Sequence, residues 1–227
     1  MTLDDIIAEL EAAADPAARA GMARYGITPD QAYGVKIPVL RALAKRAGRS
    51  HALAQQLWAR DTRETRILAS LVDDPAEVDE KQLEAWAAEF SYWEICDACC
   101  MNLFEKTPFA WDKAMEWSVR AAESYKRGGF VLMARLAVSD KKAPDAAFEQ
   151  FLPLIEQEAH DGRNLVKKAV NWALRQIGKR NAALNKKAIA CAERIHAQNS
   201  TAARWVAADA LRELRSDAVQ ARLARKK

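Results

Sequence analysis

No stretch of this 227-residue chain alternates apolar and polar side chains for the length of a strand. Instead apolar residues return every three or four positions, and the periodic segments are separated by short breaks carrying Pro, Gly or Asp/Ser/Thr. That period builds helices with one apolar stripe, so the chain is expected to be all-α. Helices are expected over 2–13, 16–25, 38–48, 51–59, 63–72, 79–89, 92–105, 108–118, 121–138, 145–158, 164–180, 183–197, 200–214 and 216–224. Pro38 and Pro108 fall at first-turn positions, where a missing N–H costs nothing. Asp61-Thr62 and Ser200-Thr201 are N-cap candidates. With only 8 Gly and 7 Pro, and no Gly/Ser/Pro-rich linker, residues 1–227 read as a single domain.

Paired helices recurring every 30–45 residues suggest an α-solenoid of HEAT-like (ARM-like) repeats. The repeat is faint in sequence, since segments 43–46, 68–71 and 174–177 share only their apolar spacing. A compact helical bundle is the alternative. The two differ in consequence, because stacked second helices of a solenoid build a curved, concave wall.

Charge is distributed unevenly. Residues 1–80 carry 10 basic and 13 acidic side chains, 81–160 carry 9 and 13, and the last 67 carry 16 and 5. A second stretch, Lys36, Arg41, Lys45, Arg46 and Arg49, holds no acid. A tail of Arg222, Arg225, Lys226 and Lys227 accounts for part of the terminal excess. Such asymmetry suits a polyanionic partner and a basic concave face.

Several chemistries are disfavoured. The three histidines, His51, His160 and His196, stand in no nucleophile or metal pattern, and no glycine-rich phosphate loop follows a strand. Cys96, Cys99, Cys100 and Cys191 have no zinc-site spacing and read as reduced core residues. No metal and no cofactor is expected. Asp4 and Asp5 stand where a signal sequence needs cations, and no apolar run reaches the ~20 residues that span a bilayer. A cytoplasmic protein without a membrane partner is expected.

Two segments stand out. On the helix 164–180, Val166, Val170, Ala173, Leu174 and Ile177 form the apolar stripe, and Trp172 points away from it. Its face neighbours are Lys168, Arg175 and Lys179, with Leu165 and Gln176 close by: an indole among cations, suited to a polyanion that also offers a π-face. An indole covered by the next helix is the simpler account. In Phe90-Ser91-Tyr92-Trp93-Glu94-Ile95-Cys96-Asp97, Trp93 and Asp97 share a helix face that Cys100 and Phe104 extend. A carboxylate there is ion-paired, raised in pKa or functional. Beside indole faces it is suited to stabilising an oxocarbenium-like sugar. Gly128-Gly129 after Lys126-Arg127 costs the helix about 0.5–1 kcal/mol per glycine, which close backbone approach would offset.

Read together, these residues resemble the HEAT-repeat alkylpurine DNA glycosylases of the AlkD-type DNA alkylation repair family. The likeness runs through Met22-Ala23-Arg24-Tyr25, Tyr33-Gly34-Val35-Lys36-Ile37-Pro38-Val39-Leu40-Arg41, Leu57-Trp58 and Glu64-Thr65-Arg66. It continues in Trp93-Glu94-Ile95-Cys96-Asp97, Lys126-Arg127 and Val166-Lys167-Lys168-Ala169-Val170-Asn171-Trp172-Ala173-Leu174-Arg175. The resemblance implies that Trp93, Asp97 and Trp172 are catalytic, with Arg127 facing phosphate and Tyr25 near the cleft. Arg135 is the alternative to Arg127, whose distance from Trp172 exceeds the family's pattern. Lys168, Arg175, Lys179, Lys36 and Arg41 complete the expected DNA-binding set. The implied activity is a monomeric DNA-alkylpurine N-glycosylase acting on double-stranded DNA that carries cationic N3- or N7-alkylated purines. The family also holds members that bind damaged, bent or branched DNA without excision.

Overall fold

The computed structural model describes residues 1–29 and 31–225, and among these it is helical with no strand. Lys226 and Lys227 lie outside the described residues. The helices group into two compact units, Met1–Thr107 and Pro108–Lys227.

The first unit holds α1 (Leu3–Ala12), α2 (Pro16–Gly21), a 3₁₀ turn (Ala23–Tyr25), α3 (Ile37–Ala47) and α4 (His51–Trp58). It continues with α5 (Arg63–Val72), α6 (Glu80–Ala88), α7 (Trp93–Asn102) and a 3₁₀ turn (Phe104–Lys106). Two layers result. In one, α5 packs between α3 and α7. In the other, α4 touches α1 and meets α6 through Trp58 and Trp86, stacked 4.0 Å apart at 3°. Such a pair adds about 0.5–1.5 kcal/mol beyond its buried area.

The second unit holds α8 (Ala110–Ser118), α9 (Glu123–Ser139), α10 (Asp145–Glu149) and α11 (Phe151–Glu158). Then come α12 (Asn164–Gly178), α13 (Ala182–His196), α14 (Thr201–Leu214) and α15 (Asp217–Ala224). Hairpins α8–α9, α11–α12 and α13–α14 stack so that α12 lies between α9 and α14, and α11 between α8 and α13. The repeat that is faint in sequence is plain in the contacts. Lys167 meets Trp205, Asn171 meets Asp209 and Arg175 meets Glu213, each pair 38 residues apart. Arg127 meets Leu165 at the same spacing. Stacked helical repeats, not a bundle, explain a constant offset.

Local chemistry sets the boundaries. Thr62 and Ser200 cap α5 and α14 through their hydroxyls, and Pro38 sits in the first turn of α3, as expected. The expected helix 16–25 instead ends at Gly21, and the chain turns through Gly26 at φ 69°. The expected helix 145–158 breaks at Gln150. Pro153 has no N–H for the Glu149 carbonyl, and its ring would crowd that carbonyl. A Cβ on Gly129 would stand 2.4 Å from the Ser118 nitrogen and 2.9 Å from the Ala114 carbonyl oxygen, so the glycine is what lets α8 and α9 approach. The four cysteines are buried and form no disulfide. Among the described residues no group of side chains could hold a metal ion, and no helix is long and apolar enough to cross a membrane.

Candidate nucleic-acid interface

In the first unit the 3₁₀ turn and the left-handed Gly26 fold Tyr25 back toward α7. The Tyr25 carbonyl accepts the Trp93 indole N–H at 2.8 Å, which fixes the ring at the start of α7. The Tyr25 ring itself is 64% exposed, with the Arg24 guanidinium 5.1 Å from its centre. Asp97 follows Trp93 by one turn, and both are half-buried. The apolar extension expected from sequence is not on that border, since Cys100 and Phe104 are fully buried in the core. Burial holds the Cys100 thiol well above its usual range, with the Asp97 charge among the smaller causes.

Beneath these residues lies a buried charge network that ties together three of the sequence blocks carrying the resemblance. Glu64 has no exposed surface, and its carboxylate accepts the backbone N–H groups of Tyr33, Gly34 and Val35 at 2.9, 3.0 and 3.1 Å. Arg63 donates to Glu64 at 2.9 Å and forks onto both oxygens of Glu94 at 2.7 Å. Burial draws the Arg63 pKa down, but Glu94 and Glu64 outweigh it and hold it above its ordinary value. Gly34 has φ 83°, and a Cβ there would stand 2.1 Å from the Asp15 carbonyl oxygen. The network therefore clamps the loop that delivers Lys36 and α3 to the first turn of α7. Lys36 and Arg41 are both exposed.

In the second unit α12 carries Trp172 half-buried, and no described residue accepts its indole N–H. Its cationic neighbours divide. Lys168 is exposed. Arg175 donates to Glu213 of α14 at 2.5 Å and lies 3.6 Å from Asp209, while Lys179 donates to Glu213 at 2.6 Å. Two of the three expected phosphate contacts are thus already ion-paired across the stack. Asp209 and Glu213 escaped sequence reasoning. The available signal was that two of the five acids in the last 67 residues stand four apart on one helix.

Arg127 is 7% exposed and donates to the Leu165 carbonyl in the first turn of α12 at 2.8 Å. Near the other end, Arg180 donates to the Ala137 carbonyl of α9, so α9 and α12 run parallel. Arg127 is therefore level with Leu165, about 10 Å along the axis from Trp172. The same offset sets Arg135, which is half-buried, level with Ala173 beside Trp172. Lys126 next to Arg127 is buried against Glu158 and Asp161.

A profile of the family described as DNA alkylation repair enzyme matches residues 6–214. Comparison with curated proteins gives no match. Among solved structures, one described as "a new family of proteins related to the HEAT-like repeat DNA glycosylases with affinity for branched DNA structures" superposes with a TM-score of 0.79 at 17% identity. The match covers 98% of this chain and 96% of that one, and at this identity it speaks for the fold. With residues 6–214 matched and a helical-repeat fold in common, the chain belongs to the DNA alkylation repair enzyme family.

Proposed function

We propose that this protein is a DNA glycosylase that removes positively charged N3- and N7-alkylated purines from double-stranded DNA, acting as a cytoplasmic monomer. The observation that carries the reading is the pairing on α7 of an indole held by the Tyr25 carbonyl with a half-buried carboxylate one turn later. An alkylated purine is already cationic, so breaking its N-glycosidic bond returns the electron pair to the ring and leaves the charge on the sugar. Asp97 supplies the opposing negative charge and orients the water that attacks the anomeric carbon, taking up its proton. Trp93 offers its π-face to the sugar cation, worth roughly 0.5–2 kcal/mol, and Trp172 of the second unit offers its π-face to a nucleotide of the bound DNA. Lys168, Lys36 and Arg41 hold phosphates through their exposed ammonium and guanidinium groups. On α9 we assign the phosphate contact beside Trp172 to Arg135, and assign Arg127 to bracing α12.

Asp97→Asn tests the chemistry, because it keeps the shape and removes the charge. Single-turnover excision of N7-methylguanine from duplex DNA should fall about 10²–10³-fold, the loss typical of a key electrostatic group. Duplex affinity and melting temperature should stay at parent values. A stable variant that excises at the parent rate would remove Asp97 from the mechanism.

A second reading is binding of branched DNA without excision, supported by the description of the structural neighbour. It predicts no abasic sites from alkylated duplex at any enzyme concentration, with tighter binding to a four-way junction than to a duplex of equal length.

A further inference from the structure

One turn beyond Trp172, Gln176 enters the wall of a groove of about 430 Å³ in the second unit. Four cations line it: Lys141 from the α9–α10 loop, Lys179 and Arg180 from the end of α12, and Arg222 from α15. The acid in its wall is Asp145, both of whose oxygens accept the Asn181 side-chain amide at 2.8 and 3.0 Å. Lys179 is shared with Glu213.

The groove has a pinned floor and an exposed rim. Arg180 is pinned with its guanidinium 4.1 Å over the Phe148 ring, donating to the Ala137 and Ala143 carbonyls at 3.3 and 2.9 Å. Arg222 is exposed and reaches the Lys179 carbonyl at 3.3 Å. Among the described residues neither Lys141 nor Arg222 has a carboxylate partner. Helix C-termini at Ser139 and Gly178 account for some of this positive charge, since the carbonyls there attract cations. They do not account for a cavity larger than one phosphate. α15 also lies beyond residues 6–214, so Arg222 is an addition to the matched family region.

We propose that this groove is an anion site that takes a phosphate of the nucleic-acid backbone one or two nucleotides from the residue gripped by Trp172. Arg180 and Lys179 form its base, and Lys141 and Arg222 close over the phosphate as outer donors. The backbone source rests on the DNA-binding reading above; the groove's affinity for phosphate does not.

The double variant Lys141→Ala/Arg222→Ala tests both, because each side chain is exposed and its loss leaves the core intact. Isotope-edited NMR with inorganic phosphate alone reads the groove, expecting saturable shifts at Gln176 and Asn181 in the parent and none in the variant. Undamaged duplex reads the backbone source, expecting a salt slope smaller by about 1.8 for two lost contacts. Parent-like phosphate shifts in the variant would overturn the site. Phosphate shifts lost with an unchanged duplex slope would overturn the backbone source. A parent that binds no duplex at all would defeat the DNA reading, and the phosphate arm would still decide the groove.

Discussion

The two units hold their exposed functional candidates by opposite means. In the first, the strong charges are buried and act on the backbone: Arg63 is 5% exposed, Glu64 not at all, and both clamp the loop at 33–35. Trp93 and Asp97 sit above this scaffold and owe it their position. In the second, charge lies along the seam between neighbouring helices, where Glu213 and Arg175 each keep 30% of their side-chain surface. The cations are thus both mortar for the stack and candidates for phosphate. Buried charge fixes a geometry, whereas seam charge can change partners.

The largest effect should come from Glu64→Gln. Breaking a buried ion pair costs about 3–5 kcal/mol, and a glutamine that keeps its oxygen toward the Gly34 and Val35 N–H groups sets its amide NH2 against the Tyr33 N–H. Thermal unfolding should show a drop of that size, against at most about 1 kcal/mol for Glu213→Gln at the seam. Equal losses would erase the contrast between the units.

A smaller effect is expected from the ionic cluster before α12. Arg163 hydrogen-bonds both oxygens of Asp161, and this outweighs burial to hold the Asp161 carboxyl down at about 2, against an ordinary 3.8. The folded state then prefers the ionised form. Its stabilising contribution is complete above about pH 4 and is lost as pH falls toward 2, amounting to roughly 1–2 kcal/mol. Acid titrations of Asp161→Asn should show this component missing; a parent-like acid limb would mean that Arg163 adds nothing.

The smallest effect concerns binding. Glu213→Gln releases Lys179 and leaves Arg175 only the more distant Asp209. The salt slope for duplex binding should steepen by about 0.9 for each cation that then reaches a phosphate, whereas Lys168→Ala should flatten it. If Glu213→Gln changes neither slope nor affinity, Arg175 and Lys179 belong to the stack alone.

What was legible in the sequence is what local chemistry decides. Helix caps at Thr62 and Ser200, the placement of Trp172 off its core stripe, and the need for Gly129 all follow from spacing and residue type. The α11 break follows from Pro153 but hides among good helix formers on either side. The state of Arg127, Arg175 and Lys179 was not legible, because a cation in a sequence looks the same whether its partner is solvent or an acid 38 residues away. Likewise Glu64 stands in a quoted block, yet only the fold brings it three backbone donors. Long-range pairing is where reading by period ends.

The constant offset along α12 and α14 also bears on how the second unit opens. In stacked repeats each helix is supported by its immediate neighbours, so the outermost hairpin melts at the lowest free energy. When α14 detaches, Asp209 and Glu213 leave with it, and α12 is left with Arg175 and Lys179 uncompensated. Local melting at this end of the chain therefore also bares charge: the face of α12 that carries Arg175 and Lys179 becomes more positive as α14 leaves, although the net charge of the chain is unchanged.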